Sequence, residues 1–135
     1  MLNTSYRSID IMKKALDGTW QRHEAITNNI ANVNTPGYKR IEVNFEAELK
    51  NALQKDGLSL NTTNEKHISK NDTLNSFNPT VKRDYSYSTR KDGNNVNIDV
   101  ESAELAKNTI MYNSLIRQVS NEFRKIKMVL NEGGK

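Results

Sequence analysis

The sequence predicts a mainly α fold: long N- and C-terminal helices pairing as a coiled-coil-like hairpin, with a poorly ordered middle segment carrying a short helix and a possible β-hairpin. Three observations carry this reading. Apolar residues recur at spacings of three and four from Ile9 to Val33 and again from Ile98 to Leu130, the period of a helix packed on another helix. Pro36 bars the α region to Thr35 and cannot continue a helix itself, so the first stripe ends by about Asn34. Between the stripes, residues 58–97 are sparse in large apolar side chains and rich in Asn, Ser, Thr and Lys. The chain therefore divides into an N-terminal helix (1–34), a turn and variable middle (35–97) and a C-terminal helix (98–131) within one unit.

Residues before about Ser8 are short and polar, and are expected to be mobile. The first stripe then runs Ile9, Met12, Leu16, Thr19, His23, Ile26, Ile30 and Val33. Trp20 flanks it, placed to add buried area while keeping its indole N–H near water. Gly18 interrupts the helix at a cost of about 1 kcal/mol relative to Ala, and accommodates either a kink or a close contact. His23 is read as a partly exposed seam residue, since the only other histidine, His67, lies more than forty positions away and no metal set forms from the two.

Asn28, Asn29 and Asn32 sit on a helix that has little use for them, because Asn competes with the backbone for hydrogen bonds. Groups outside the helix are expected to pair with those amides. Thr35-Pro36-Gly37-Tyr38 reads as a type II turn, with Gly37 supplying the positive φ. Asn28, Asn29, Asn32, Pro36, Gly37 and Tyr38 thus form one corner that closes the helix.

After the corner, Phe45, Leu49, Ala52 and Leu53 make one face of a short helix with Asn44 as N-cap and Gly57 as stop. Glu46 and Glu48 are read as part of its solvated face. Residues 58–97 are assigned low order, with two local signals. Val81, Arg83, Tyr85, Tyr87 and Thr89 alternate with Lys82, Asp84, Ser86, Ser88 and Arg90, as in a strand or hairpin arm, and Asp92-Gly93-Asn94-Asn95 is a turn signal.

The last helix has Asp99 as expected N-cap and Arg124, Lys125 and Lys127 near its end, complementing the helix dipole. Its stripe is Ile98, Ser102, Leu105, Thr109, Tyr112, Ile116, Val119, Phe123, Ile126 and Leu130. Ile9, Met12, Leu16, Ile26 and Ile30, with Leu105, Tyr112, Ile116, Val119, Phe123, Ile126 and Leu130, are the expected helix–helix seam. Ile110 and Met128 project from the opposite face, while Met111, Leu115 and Val129 flank the seam; neighbouring molecules are expected to cover that second face.

At 135 residues, with 35% hydrophobic residues, a mean hydropathy of −0.80 and 19 asparagines, the chain holds one domain and thin core material, so part of it needs a partner to become ordered. The net charge of +4 does not mark a nucleic-acid binder. Basic residues number 4, 10 and 6 and acidic residues 3, 8 and 5 in residues 1–33, 34–97 and 98–135, with no concentrated excess. A base-stacking platform from Tyr85 and Tyr87 lacks a basic groove beside it. Absence of cysteine removes disulfides and thiolate chemistry. No Gly-rich phosphate loop, nucleophile signature or metal-ligand spacing appears, so neither an enzyme nor a cofactor is expected. No Sec-type signal and no run long enough to span a bilayer is present.

The run at residues 28–39, Asn-Asn-Ile-Ala-Asn-Val-Asn-Thr-Pro-Gly-Tyr-Lys, closely resembles the N-terminal signature of the bacterial flagellar rod, hook and hook–filament junction proteins. Asp92-Gly93-Asn94-Asn95-Val96 resembles the segment before the last helix of the proximal rod members. Leu105, Asn108 and Tyr112 fit that subgroup too; Ala106-Lys107-Asn108-Thr109-Ile110-Met111-Tyr112-Asn113 departs from the hook and distal rod pattern, which leaves a neighbouring rod protein as the second choice. The resemblance covers roughly residues 9–40 and 92–130; His67 is a weak further match. It implies a structural rod subunit exported without a cleaved signal through the flagellar type III apparatus. Its partners would be copies of itself, other rod proteins, the rod-to-MS-ring adaptor and the MS ring, with no nucleic acid and no membrane insertion. A coiled-coil adaptor or nucleic-acid-associated module would share the stripes, but has no reason to carry residues 28–39 in that order.

Overall fold

A computed structural model describes residues 2–57, 78–86, 88 and 90–132. Helix α1 spans Leu2–Ala31, strand β1 Ile41–Asn44, helix α2 Glu46–Gly57, strand β2 Thr80–Arg83 and helix α3 Ile98–Glu132. At 1.5 Å per residue α1 is about 45 Å long and α3 about 52 Å. They run antiparallel: Asn29 meets Glu101, Thr19 meets Asn108, and Met12 lines a groove with Gln118 and Glu122. The helix already begins at Leu2, some seven residues before the first stripe position.

The small core sits where β1 turns into α2. Phe45 is 1% exposed and packs with Ala15 and Leu49, ringed by Ile11, Leu53, Met111 and Leu115. Gly18 makes room for it: a Cβ at that position would stand 2.5 Å from Phe45 Cγ. Close contact with an aromatic ring, not a kink, is therefore the reason for this glycine. Arg22 lies over the ring, 4.5 Å from its centroid, where a guanidinium is attracted by the π face. It also donates to the Val43 carbonyl and forms a two-pronged ion pair with Glu46, so Glu46 belongs to the packing of α2 on α1 and not simply to a solvated face. The Phe45 carbonyl accepts the first helical bond, from Leu49 N at 2.8 Å, which makes Phe45 the N-cap in place of Asn44.

β1 and β2 form an antiparallel ribbon in the register Ile41↔Arg83, Glu42↔Lys82, Val43↔Val81 and Asn44↔Thr80. β1 was not expected, and β2 finds its partner there and not across the turn at Asp92. Residues 80–83 and 90–97 are thus structured within a stretch expected to have low order. Tyr87, Thr89 and His67 lie outside the described residues. Trp20 is 60% exposed and stacks on His23 with ring centroids 6.0 Å apart, so it does not join the core.

Candidate functional site

The corner that closes α1 is built from side-chain amides. Gly37 has φ +72°, and Tyr38 N reaches the Thr35 carbonyl at 3.3 Å, as the expected turn requires. Gly93, with φ +75°, ends a second turn through its bond to the Arg90 carbonyl at 3.1 Å. The two turns dock: Gly37 N donates to Asp92 O at 2.8 Å, and Lys39 Nζ donates to Gly93 O at 2.9 Å.

Four asparagines knit the elements around these turns. Asn29 is fully buried and uses all four of its hydrogen-bonding positions. Its Nδ2 donates to Ile41 O at 2.8 Å and Glu101 Oε2 at 3.0 Å, and its Oδ1 accepts from Ile41 N at 2.8 Å and Tyr38 OH at 3.1 Å. The amide thus meets Ile41 as a neighbouring strand would. Asn94, also fully buried, donates to the carbonyls of Asn32, Val33 and Thr35 at 2.9–3.0 Å and accepts from Val96 N. Those carbonyls belong to the turn that follows α1, so Asn94 holds the chain where it leaves the helix.

Asn95 accepts from Arg40 N at 2.8 Å and donates to Asp84 O at 2.9 Å, extending the ribbon where its strands diverge. Asn97 accepts from Asp99 N and Val100 N, while its carbonyl accepts from Glu101 N. It is the N-cap of α3, so Asp99, the expected cap, falls inside the first turn. Of the three asparagines expected to pair outside the helix, Asn29 does so with distant elements and Asn32 with Thr35 in the following turn. Asn32 bonds within its own turn, to Asn28 O and Thr35, and Asn28 and Pro36 are exposed.

Glu101 is the charged centre of this corner. Its side chain is 0% exposed and accepts from Arg40 Nε at 2.5 Å as well as from Asn29. Burial opposes the charge of Arg40, but the bond and charge of Glu101, with Glu42 and Asp84 nearby, hold the guanidinium above arginine's usual pKa. Burial likewise raises the Tyr38 phenol, with Arg83 pulling against it and Glu101 adding to it. Burial pushes the Glu46 carboxyl up, yet the bond from Arg22 and the backbone bonds at the start of α2 leave it below the ordinary range. Asp92 is held low by Arg90 and Asn94 N.

The expected seam residues divide between the inside and the outside of the molecule. Ile26 is buried, and Ile9, Met12, Leu16, Ile30, Leu105, Tyr112, Val119 and Ile126 are half-buried. Ile116, Phe123 (56% exposed) and Leu130 (67%) face outward, as do Ile110, Met128 and Val129. Met111 and Leu115 pack on the Phe45 core. The buried line on α1 includes Ala15, Thr19, Ile26 and Asn29, and on α3 Glu101 and Asn108. Thr19 and Ile26 belong to the expected stripe, whereas Glu101 and Asn108 lie about half a helical step, roughly 50°, from the stripe of α3. Sequence reasoning placed Thr19 on the stripe but missed Glu101 and Asn108 as buried contacts because it ranked positions by apolar size; the signal that could have found them is the same three-and-four spacing read for polar residues.

Among the described residues no group of His, Asp or Glu side chains stands where it could hold a metal, and no helix is long and apolar enough to cross a membrane. What the chain offers is a hydrogen-bonded polar corner at one end of the helix pair and an outward apolar stripe further along α3, the makings of a structural subunit.

The family model described as Flagella basal body rod protein matches residues 14–39, the second half of α1 and the turn with Asn29, Gly37 and Tyr38. Similarity to curated relatives runs nearly end to end. The chain is 34% identical over 134 residues to Flagellar basal body rod protein FlgB of Borreliella burgdorferi, covering 96% of this chain and 99% of that one. It is 35% identical over 128 residues to Flagellar basal body rod protein FlgB of Bacillus subtilis, covering 93% and 95%. It is also 35% identical to the FlgB protein of Buchnera aphidicola subsp. Baizongia pistaciae, over 96% and 98%. The chain belongs to the flagellar basal body rod protein family, among relatives of the FlgB type.

Proposed function

We propose that this chain is a structural subunit of the flagellar rod that self-assembles, through its terminal helices, with copies of itself and other rod proteins. The resulting tube transmits torque and surrounds the export channel, and it is required for motility. Its neighbours at the base are the rod-to-MS-ring adaptor and the MS ring, and it reaches the rod, outside the inner membrane in the periplasm or cell-wall zone, through the flagellar type III export apparatus. The observation that carries this reading is the outward stripe of Ile116, Phe123 and Leu130 along α3. Burying such side chains is worth roughly 1.5 to 3 kcal/mol each, and neighbouring subunits supply the cover. Contacts of this kind, made by different patches on the two partners, propagate without closing and generate helical assemblies.

Phe123→Asp tests it. Because Phe123 is half outside the subunit already, the purified variant keeps its thermal midpoint, while cells carrying it lose motility and their isolated basal bodies lack the protein. Normal swimming with normal incorporation would overturn the proposal.

A further inference from the structure

Helix α3 carries two overlapping seams. One follows Glu101, Leu105, Asn108, Tyr112, Leu115, Val119, Glu122 and Ile126; the other follows Ser102, Leu105, Thr109, Tyr112, Ile116, Val119, Phe123 and Ile126. They share every second position and differ by half a helical step. Apolar area favours the second, since Ile116 and Phe123 outweigh Leu115 and Glu122. The subunit nevertheless turns the first toward α1.

Two buried polar residues of the first seam distinguish them: Glu101, in the corner described above, and Asn108, two turns further along the helix pair. Asn108 is 3% exposed and donates from Nδ2 to the carbonyl of Thr19, itself fully buried, at 2.9 Å across the helix pair. Its Oδ1 is buried and, among the described residues, has no hydrogen-bond partner. A half-satisfied buried amide is a poor source of stability. An asparagine in a helix seam can instead fix register and pairing at the expense of stability.

We infer that Asn108 is the specificity-determining residue of the helix pair beyond the Glu101 corner: there its bond to Thr19 O selects the polar seam and leaves the Ile116–Phe123 stripe free. In the alternative packing Asn108 loses that bond, and α3 turns its apolar stripe onto α1 or onto another copy. The choice of seam concerns the subunit alone; that the spared stripe serves neighbouring subunits rests on the assembly reading above.

The test uses the purified full chain. The sequence contains no cysteine, so Lys13→Cys and Arg117→Cys on the exposed sides of α1 and α3 accept spin labels uniquely. Wild type gives one narrow distance by pulsed electron paramagnetic resonance. Asn108→Leu gives a thermal midpoint at or above wild type, a second distance population, and a concentration-dependent dimer by light scattering. Asn108→Ser, which adds no apolar area, also loses the single distance. Retention of one wild-type distance and the wild-type oligomeric state by both variants overturns the inference, as does a lower midpoint or failure to fold for Asn108→Leu. Because the readout is a distance in the isolated chain, its outcome is separate from that of Phe123→Asp in cells.

Discussion

Asn29 and Ile41 exchange two hydrogen bonds, side-chain amide to backbone amide, each 2.8 Å long. A single side chain thereby stands in for a strand on the far edge of β1, and its remaining two positions tie in Tyr38 and Glu101. Replacing Asn29 by Ala strands several buried groups, each worth about 1 to 3 kcal/mol when left unpaired. The expected loss is about 3 kcal/mol or more, measured as a lower urea midpoint. Asn29→Asp is expected to be at least as damaging, because an oxygen would then face both Ile41 O and the Glu101 carboxylate.

Arg40 and Glu101 call for a double-mutant cycle. Arg40→Ala leaves a buried carboxylate without its cation, at an expected cost of about 3 to 5 kcal/mol. Arg40→Met combined with Glu101→Met is expected to be much milder than the two single losses summed, since apolar replacement of a buried pair is often near neutral. Additive losses in denaturant unfolding would contradict this.

Much of this architecture is legible from short-range rules. The helical periods, the positive φ at Gly37 and the apolar face around Phe45 each depend on residues close in sequence. The buried line between α1 and α3 is another matter, because Thr19, Asn29, Glu101 and Asn108 belong to types that usually mark the outside. Each becomes tolerable inside only through a specific partner: for Asn29 and Glu101 that partner is 72 positions away, and for Asn108 it is 89 positions away. β1 was hidden for a related reason. Four residues give too little alternation, and its partners are β2 and the side chain of Asn29.

Gly18 and Gly37 are expected to resist substitution for different reasons. At Gly18, Ala gains about 1 kcal/mol of helix propensity but drives a Cβ into the Phe45 ring, and overpacking costs about 1 to 3 kcal/mol. The net effect is destabilisation, relieved in the Gly18→Ala/Phe45→Leu double variant. At Gly37 there is open space around the position, so the strain comes from φ alone. Gly37→Val therefore lowers the thermal midpoint more than Gly37→Asn, since Asn tolerates the left-handed region.

Stability is expected to fall at both ends of the pH scale. The Glu46 and Asp92 carboxyls are lowered in the folded chain, so the stability they add is complete above their ordinary values of 4.5 and 3.8. It is lost as pH drops through the lower folded values. Tyr38 is raised, so its contribution is full below 10.0 and is lost as pH climbs through the folded value. Denaturant midpoints against pH should show Glu46→Gln flattening the acid limb and Tyr38→Phe flattening the alkaline one.

The Asn29 carboxamide fills its last position with an oxygen of residue 101 in a chain of 135. A ribosome must therefore deliver about three quarters of the polypeptide before this knot can be tied. Until then Asn29 lacks the carboxylate it meets, and the turn after α1 gains the Asn94 amide only seven residues earlier. Truncated products ending before residue 94 would hold neither the amide that binds this turn nor the carboxylate that completes Asn29.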